Sequence, residues 1–195
     1  MQVLHSKIPA MLFLLLAASQ SHAEWALDGG ASSFFYVTTK AAAVTEINSF
    51  SGLSGGISDA GKASLVIDLA TVDTAVDIRN QRMREIVFQV ANFPSATVSL
   101  DVDEEALSSM SAGVSTTGSY TAQVALHGMT ADVLADLQIT KLEDDSVLVQ
   151  VARPLVVAAA TFGLQAGVDE LQKVASLPSI TPGVVIDFTL VYRKQ

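Results

Sequence analysis

Apolar and polar side chains alternate with a period of two along most of this sequence. That is the pattern of β-strands with one buried and one exposed face. The segments that alternate in this way or have a strand-like composition are 34–38, 44–50, 64–69, 96–102, 114–126, 133–139, 147–151, 155–160 and 184–192. About eight or nine strands separated by turns predict an all-β fold, either a sandwich or a small closed barrel.

The first 23 residues have the layout of a secretory signal peptide. Lys7 precedes an apolar run at 8–18, and 21–23 is a small-x-small cleavage sequence. The run has eleven residues, whereas a membrane helix needs about 20. We therefore predict a signal peptide at 1–23, a single mature domain at 24–195, and a periplasmic location.

Composition excludes several classes of function. The formal net charge is −9, which disfavours binding to nucleic acid and to anionic lipid surfaces. The chain has no cysteine, and His127 is the only histidine of residues 24–195. Ordinary zinc sites and histidine-dependent hydrolase triads are therefore disfavoured, and we expect no cofactor and no metal. The balance favours a binding protein over an enzyme.

Two segments break the strand pattern and predict short helices. At 169–177, Leu171 and Ala175 continue an apolar stripe from Leu164 and Val168, and the helix ends before Pro178. The second is 75–88, with the sequence AVDIRNQRMREIVF, whose apolar face is formed by the following residues: Met83, Ile86 and Val87, continued by Val90.

Three arginines of the second helix occupy different positions on its circumference. Arg84 points away from the apolar face, and Arg82 lies at its edge. Arg79 lies near the centre of that face, so its guanidinium is directed toward the protein body and needs an anionic partner. That partner is either structural, for example Asp73 or Asp77, or the head group of a ligand.

Three other motifs are weak. The acidic segments VDEE (102–105) and LEDD (142–145) lack the ligand spacing of a calcium loop and are predicted to be solvated hairpin turns. The segment GLSGG (52–56) lacks the Lys-Ser/Thr of a phosphate-binding loop and is predicted to be a bend in a strand.

Several motifs, in order along the chain, resemble the YceI-like family of bacterial exported proteins. They are EWALDGGASSFFYV, GLSGGISDAGKASLVIDLATVDT, IRNQRMREIVFQVANFPSATVSL, ALHGMTADV and VVAAATFGLQAGVDELQKVASLPSITPGVVIDFTLVY. The most specific part is VDT at 72–74, followed by Arg79 and then Phe93-Pro94. In LHGMT, the family pattern places a hairpin turn at Gly128 with His127 beside it. The chain departs from the family at Asn80, where an aspartate is frequent.

The resemblance implies a lipocalin-like, up-and-down antiparallel β-barrel of about eight strands, with helices near one end. It also implies an apolar tunnel for a long isoprenoid or acyl-chain amphiphile. Arg79 and Arg82 are candidates for contact with the lipid head group. The candidate tunnel lining is Phe34, Val66 or its neighbours, Tyr120, Val133 and Phe188.

Other functions stay open at this point. An exported enzyme acting on a lipid or small substrate would need a polar cluster at the barrel mouth, around His127 or the acids. An outer-membrane barrel is disfavoured because aromatic residues are only 6% of the chain, so we expect no stable membrane insertion. The sequence allows a homodimer but contains no feature that favours one.

Overall fold

The structure is a computed structural model that describes residues 23–195. The predicted signal peptide lies outside the described residues, apart from Ala23. No helix of the described part is both long and apolar enough to cross a membrane.

Strands account for most of the described residues. They are β1 (Ala23–Leu27), β2 (Ser33–Lys40), β3 (Val44–Phe50), β4 (Leu53–Ser58), β5 (Lys62–Asp68), β6 (Val72–Asp73), β7 (Ser95–Asp101), β8 (Ser115–Leu126), β9 (Met129–Lys141), β10 (Val147–Val151), β11 (Leu155–Ala158) and β12 (Gly183–Lys194).

The helices are short. They are α1 (Asp77–Arg82), which continues as a π-helical turn at Met83–Val87, α2 (Glu104–Ser109) and α3 (Gln165–Val174). Single 3-10 turns occupy Leu69–Thr71 and Ala159–Phe162. The two predicted helices are present, and α3 begins four residues before the predicted start at 169.

The strands form a closed, eight-stranded antiparallel barrel in the order β1-β4-β5-β7-β8-β9-β10-β12, and β12 pairs again with β1. The strand β12 also pairs with β2 through residues 185–189 and with β11 through residues 183–186. The barrel expected from the family resemblance is therefore confirmed, and the sandwich is excluded.

The alternation in the sequence follows from this pairing. Across β5 and β7, Leu65 lies opposite Val98 and Ile67 opposite Ala96, and all four side chains face the barrel interior. Residues 53–56 of the GLSGG segment lie in β4, and Gly52 immediately precedes the strand. Gly55 there has φ +143°, and a Cβ at this position would lie 2.2 Å from the Ser64 carbonyl oxygen of β5. Only glycine allows this approach of the two strands.

The two ends of the barrel are built differently. The helical end carries α1 with its π-helical turn, the 3-10 turn at Ala159–Phe162, and α3. The opposite end, here called the Trp25 end, carries Trp25, α2, and the turns between β4 and β5 and between β9 and β10.

The acidic segment at 102–105 corrects one prediction. It was expected to be a hairpin turn, but it begins α2, because the Asp103 side chain accepts a hydrogen bond from the Ala106 backbone N–H at 2.9 Å. Glu104 and Glu105 occupy the first turn, where carboxylates are favourable. The helix buries Leu107 against the barrel interior. The segment at 142–145 does form the turn between β9 and β10.

Candidate functional site

The barrel contains a cavity of about 280 Å³. Its lining extends from Leu107 and Tyr192 near the Trp25 end to Leu171 and Thr181 at the helical end. Apart from a few hydroxyl-bearing residues, the lining side chains are aliphatic or aromatic. A cavity of this kind excludes charged groups and favours an apolar ligand.

Aromatic residues form one wall of the cavity. Phe34 stacks on Phe188 with ring centroids 6.1 Å apart, and Tyr36 stacks on Phe50 at 5.5 Å. Phe88, which follows the π-helical turn, is tilted against Phe50 at 5.7 Å. The helical end therefore packs directly on the cavity wall.

The structure brings together only part of the predicted lining. Phe34, Val133 and Phe188 border the cavity, as do Leu65 and Ile67, the neighbours of Val66. Val66 itself is not among the described lining residues.

Tyr120 is also absent from the described lining, although it is half-buried and packs against the core. The strand β8 pairs with β7 through residues 123–125. Tyr120 precedes that stretch in the strand. Its ring lies beside Gly118 of the same strand.

Arg79 has a structural partner, but not one of those expected. Its Nη1 donates to Glu46 Oε2 at 2.6 Å, and its Nη2 donates to the Thr74 carbonyl oxygen. Asp73 instead accepts hydrogen bonds from the Ala75 backbone N–H and from Asn80 Nδ2. Asp73 and Asp77 were the wrong candidates because Glu46 reaches Arg79 from the hairpin of β2 and β3, a contact that local spacing does not reveal.

Like Arg79, the other two arginines lie outside the cavity lining of the described residues. Arg82 and Arg84 are both half-buried. Within residues 23–195, neither has an acidic partner at salt-bridge distance. Arg84 is therefore less exposed than its position on the helix predicts.

Glu46 links Arg79 to the β2–β3 hairpin. It also accepts a hydrogen bond from Lys40 Nζ at 2.8 Å. Burial alone would raise the pKa of Glu46, but the hydrogen bonds from Lys40 and Arg79 outweigh it and hold the pKa below its ordinary value. The carboxylate is thus ionised and fixes Arg79 against the hairpin.

Polar groups continue along the inward face of the hairpin from Glu46 toward the cavity. Asn48, opposite Tyr36 in the register, is buried and donates to Thr38 Oγ1 at 3.0 Å. The Tyr36 hydroxyl and Arg79 Nε are buried, and neither has a hydrogen-bond partner among the described residues.

Sequence reasoning missed Glu46, Asn48 and Tyr36. The alternation that marked Phe34 as inward-facing could have identified Tyr36, two residues further along the same strand.

The Trp25 end is closed by a different set of contacts. Trp25 is fully buried, with Lys141 Nζ 4.4 Å and Lys194 Nζ 5.5 Å from its ring centroid. Lys141 is paired with Asp145 at 3.1 Å. Arg193 bonds Asp28 and Asp144, both at 2.6 Å. The contact with Arg193 is the main reason why the pKa of Asp28 lies below its ordinary value, whereas the pKa of Asp144 is lowered mainly by hydrogen bonds from Ser146 and less by Arg193.

His127 belongs to the turn between β8 and β9. It has φ +52° and Gly128 has φ +74°, as in the two-residue hairpins that favour glycine. Its ring lies 4.4 Å from the Phe93 ring, in a shallow groove outside the described cavity lining. No group of three or more metal-ligating side chains is found within residues 23–195.

Comparison with known proteins identifies the family. The model of the YceI-like domain matches residues 25–192. The chain belongs to the YceI-like family. The resemblance found in the sequence motifs is thereby confirmed over nearly all of the described residues.

Solved structures agree with this YceI-like assignment. A polyisoprenoid binding domain from Saccharophagus degradans, implicated in plant cell wall breakdown, is 38% identical, with a TM-score of 0.88 over 89% of this chain and 100% of that chain. BcnA of Burkholderia cenocepacia is 17% identical, with a TM-score of 0.63 over 85% of this chain and 98% of that chain.

The YCEI protein of Campylobacter jejuni is 14% identical, with a TM-score of 0.53 over 76% of this chain and 85% of that chain. At these identities, BcnA and the Campylobacter protein show that the YceI-like fold is shared and nothing more. A search of curated proteins found no match.

Proposed function

We propose that this protein binds a long-chain isoprenoid lipid inside the barrel and acts as a carrier in the periplasm. The observation that carries the proposal is the apolar cavity of about 280 Å³ inside the barrel. The relative from Saccharophagus degradans, described as a polyisoprenoid binding domain, supports the class of ligand. The signal-peptide pattern at 1–23 supports export.

The shape of the cavity suits a slender chain. Lining residues of β12 extend from Val184 to Tyr192. At ~3.3 Å per residue and a barrel tilt of about 40°, that stretch spans roughly 20 Å along the barrel axis. Each methylene group buried in such a cavity contributes ~0.8 kcal/mol, so the affinity comes mainly from the lining.

Binding, without catalysis, is the function we infer. His127 is the single histidine of residues 24–195, and it lies outside the described cavity lining. The cavity wall bears hydroxyl groups but no acidic or basic side chain among its described residues. General acid-base chemistry most often uses such groups, and burial raises the pKa of the two tyrosines of the wall, Tyr36 and Tyr192, away from neutral pH.

The direct test is to express the full sequence in an exporting host, purify the protein, extract it with organic solvent and identify the extracted lipid by mass spectrometry. We expect a stoichiometric long-chain isoprenoid. A lipid-free protein that gains no thermal stability from added isoprenoids would contradict the proposal.

A matched pair of variants locates the lipid. Val133 lines the cavity, whereas the next residue, Leu134, points outward and is 66% exposed. We expect Val133→Trp to fill the cavity and abolish lipid retention, and Leu134→Trp to retain the lipid. Equal retention by the two variants, with their folding verified by circular dichroism, would place the lipid outside the barrel.

A further inference from the structure

Two buried tyrosines of the cavity wall differ in one respect. Tyr36 is 6% exposed and Tyr192 is 5% exposed, and both line the cavity. The Tyr192 hydroxyl donates to the Ser64 carbonyl oxygen at 3.2 Å. The Tyr36 hydroxyl finds no partner in the part of the chain that the structure describes.

Neighbouring polar groups do not satisfy the Tyr36 hydroxyl. The Asn48 amide donates to Thr38, and the two terminal nitrogens of Arg79 donate to Glu46 and Thr74. A buried hydroxyl without a hydrogen bond costs about 1–3 kcal/mol. The side chain borders the cavity, so the cavity is where the missing partner can sit.

The chemistry of this group defines the partner. Burial raises the pKa of Tyr36, although Arg79 partly opposes that effect, so the phenol is neutral and able to donate. The buried Arg79 Nε is a second unpaired donor in the same region. Both groups therefore call for an acceptor oxygen.

The cavity favours an uncharged acceptor oxygen on the ligand over an anionic one. Arg79 and Lys40 share the carboxylate of Glu46, and no basic side chain lines the cavity among the described residues. An anionic head group would lose its hydration in the apolar cavity without gaining a dedicated counter-charge, which is costly. An uncharged oxygen loses far less.

We propose that the Tyr36 hydroxyl donates a hydrogen bond to an uncharged oxygen, a hydroxyl or carbonyl, of the isoprenoid bound in the cavity. The inference rests on the proposed function and adds the polarity of the ligand and its direction. The oxygen lies near the β2–β3 hairpin, and the hydrocarbon chain extends toward Leu107 and Tyr192.

The test uses three probes with one carbon skeleton: phytane, phytanol and phytanic acid. Their affinities for the delipidated protein are measured by displacement of a fluorescent isoprenoid analogue. We expect Tyr36→Phe to weaken phytanol binding by roughly 2- to 10-fold and to leave phytane binding unchanged, as for the loss of one hydrogen bond.

The control is Tyr120→Phe, which removes the hydroxyl of a tyrosine that lies outside the cavity lining of the described residues. It should bind phytanol and phytane like the wild type. Tyr36→Phe should be at least as thermally stable as the wild type without ligand, because it removes an unpaired buried group.

Unchanged phytanol affinity in Tyr36→Phe, or an equal loss for phytane and phytanol, would overturn the inference. A preference for phytanic acid that disappears in Tyr36→Phe would overturn the requirement for an uncharged oxygen. If no probe binds to any variant, the proposed lipid-binding function fails instead.

Discussion

The Trp25 end and the helical end close the same barrel by different means. At the Trp25 end, strands β1, β4 and β12 surround Trp25, and two lysines lie over its ring. At the helical end, α3 packs on the π-helical turn next to α1, and β-sheet hydrogen bonds do not join these helices. Displacing Trp25 requires breaking the sheet, whereas α3 and the π-helical turn can separate without doing so. We therefore expect a ligand to enter and leave at the helical end.

The largest expected effect comes from removing the indole that closes the Trp25 end. Trp25→Ala should lower the free energy of unfolding by about 3–5 kcal/mol, because it empties a fully buried site. Urea unfolding followed by circular dichroism measures this, since Trp25 is the only tryptophan for fluorescence. Trp25→Phe is the milder control. A loss below about 1 kcal/mol would show that this end does not depend on Trp25.

The next effect concerns the contact between α3 and the π-helical turn. A Cβ at Gly167 would lie 2.8 Å from the Ile86 carbonyl oxygen and 2.9 Å from Val87 Cα. Gly167→Ala should therefore separate the helices, costing about 1–2 kcal/mol of unfolding free energy and accelerating lipid release. Stopped-flow transfer of a fluorescent lipid to vesicles measures the release rate.

The control for this change is Gly183→Ala in β12, where the atom nearest to the added methyl group would be 3.9 Å away. It should release lipid at the wild-type rate. Alanine normally stabilises a helix relative to glycine by about 1 kcal/mol. A stabilised Gly167→Ala variant with unchanged release would therefore contradict the close packing of the helical end.

A smaller effect distinguishes two arginines at the helical end. Arg79→Ala removes the bonds to Glu46 and to the Thr74 carbonyl, and should cost about 1–2 kcal/mol of unfolding free energy. It should also lower lipid retention more than Arg84→Ala does. Quantitative mass spectrometry of the extracted lipid compares the two variants, and equal retention with intact folding would remove Arg79 from the ligand site.

The smallest effect is a pH dependence at Glu46. The pKa of Glu46 in the folded protein is held below the ordinary value of 4.5. The ion pairs of Glu46 therefore contribute fully to stability above pH 4.5. The contribution is lost as the pH falls through the lower pKa of the folded state. Glu46→Gln should be less stable than the wild type by about 1 kcal/mol at neutral pH. The difference should shrink below pH 4.5. A difference that is constant with pH in urea titrations would exclude this linkage.

Strand positions were predictable because one face of each strand is buried, which imposes a period of two on the sequence. The segment 34–38 corresponds to β2, and 184–192 to β12. The start of α2 was missed because a single buried residue, Leu107, does not produce a helical repeat.

The site was less predictable than the strands. Phe34, Val133 and Phe188 were identified from apolar alternation, whereas Tyr120 has the same pattern and lies beyond the cavity lining of the described residues. The pairing of Arg79 with Glu46 joins residues 33 positions apart. Such a contact depends on how the hairpin meets the helix, which no local pattern encodes.

The pairing of β1 with β12 also has a consequence for how the chain folds. Trp25 lies opposite Lys194 in the register, so the first and last described strands complete the ring. Closing so long a loop is entropically costly, and folds dominated by such distant pairings form slowly. The strand β12 pairs with four others, which are β1, β2, β10 and β11. Until β12 joins the sheet, each of these strands exposes an unpaired edge that can aggregate. A chaperone that shields those edges during this interval should raise the yield of the folded protein.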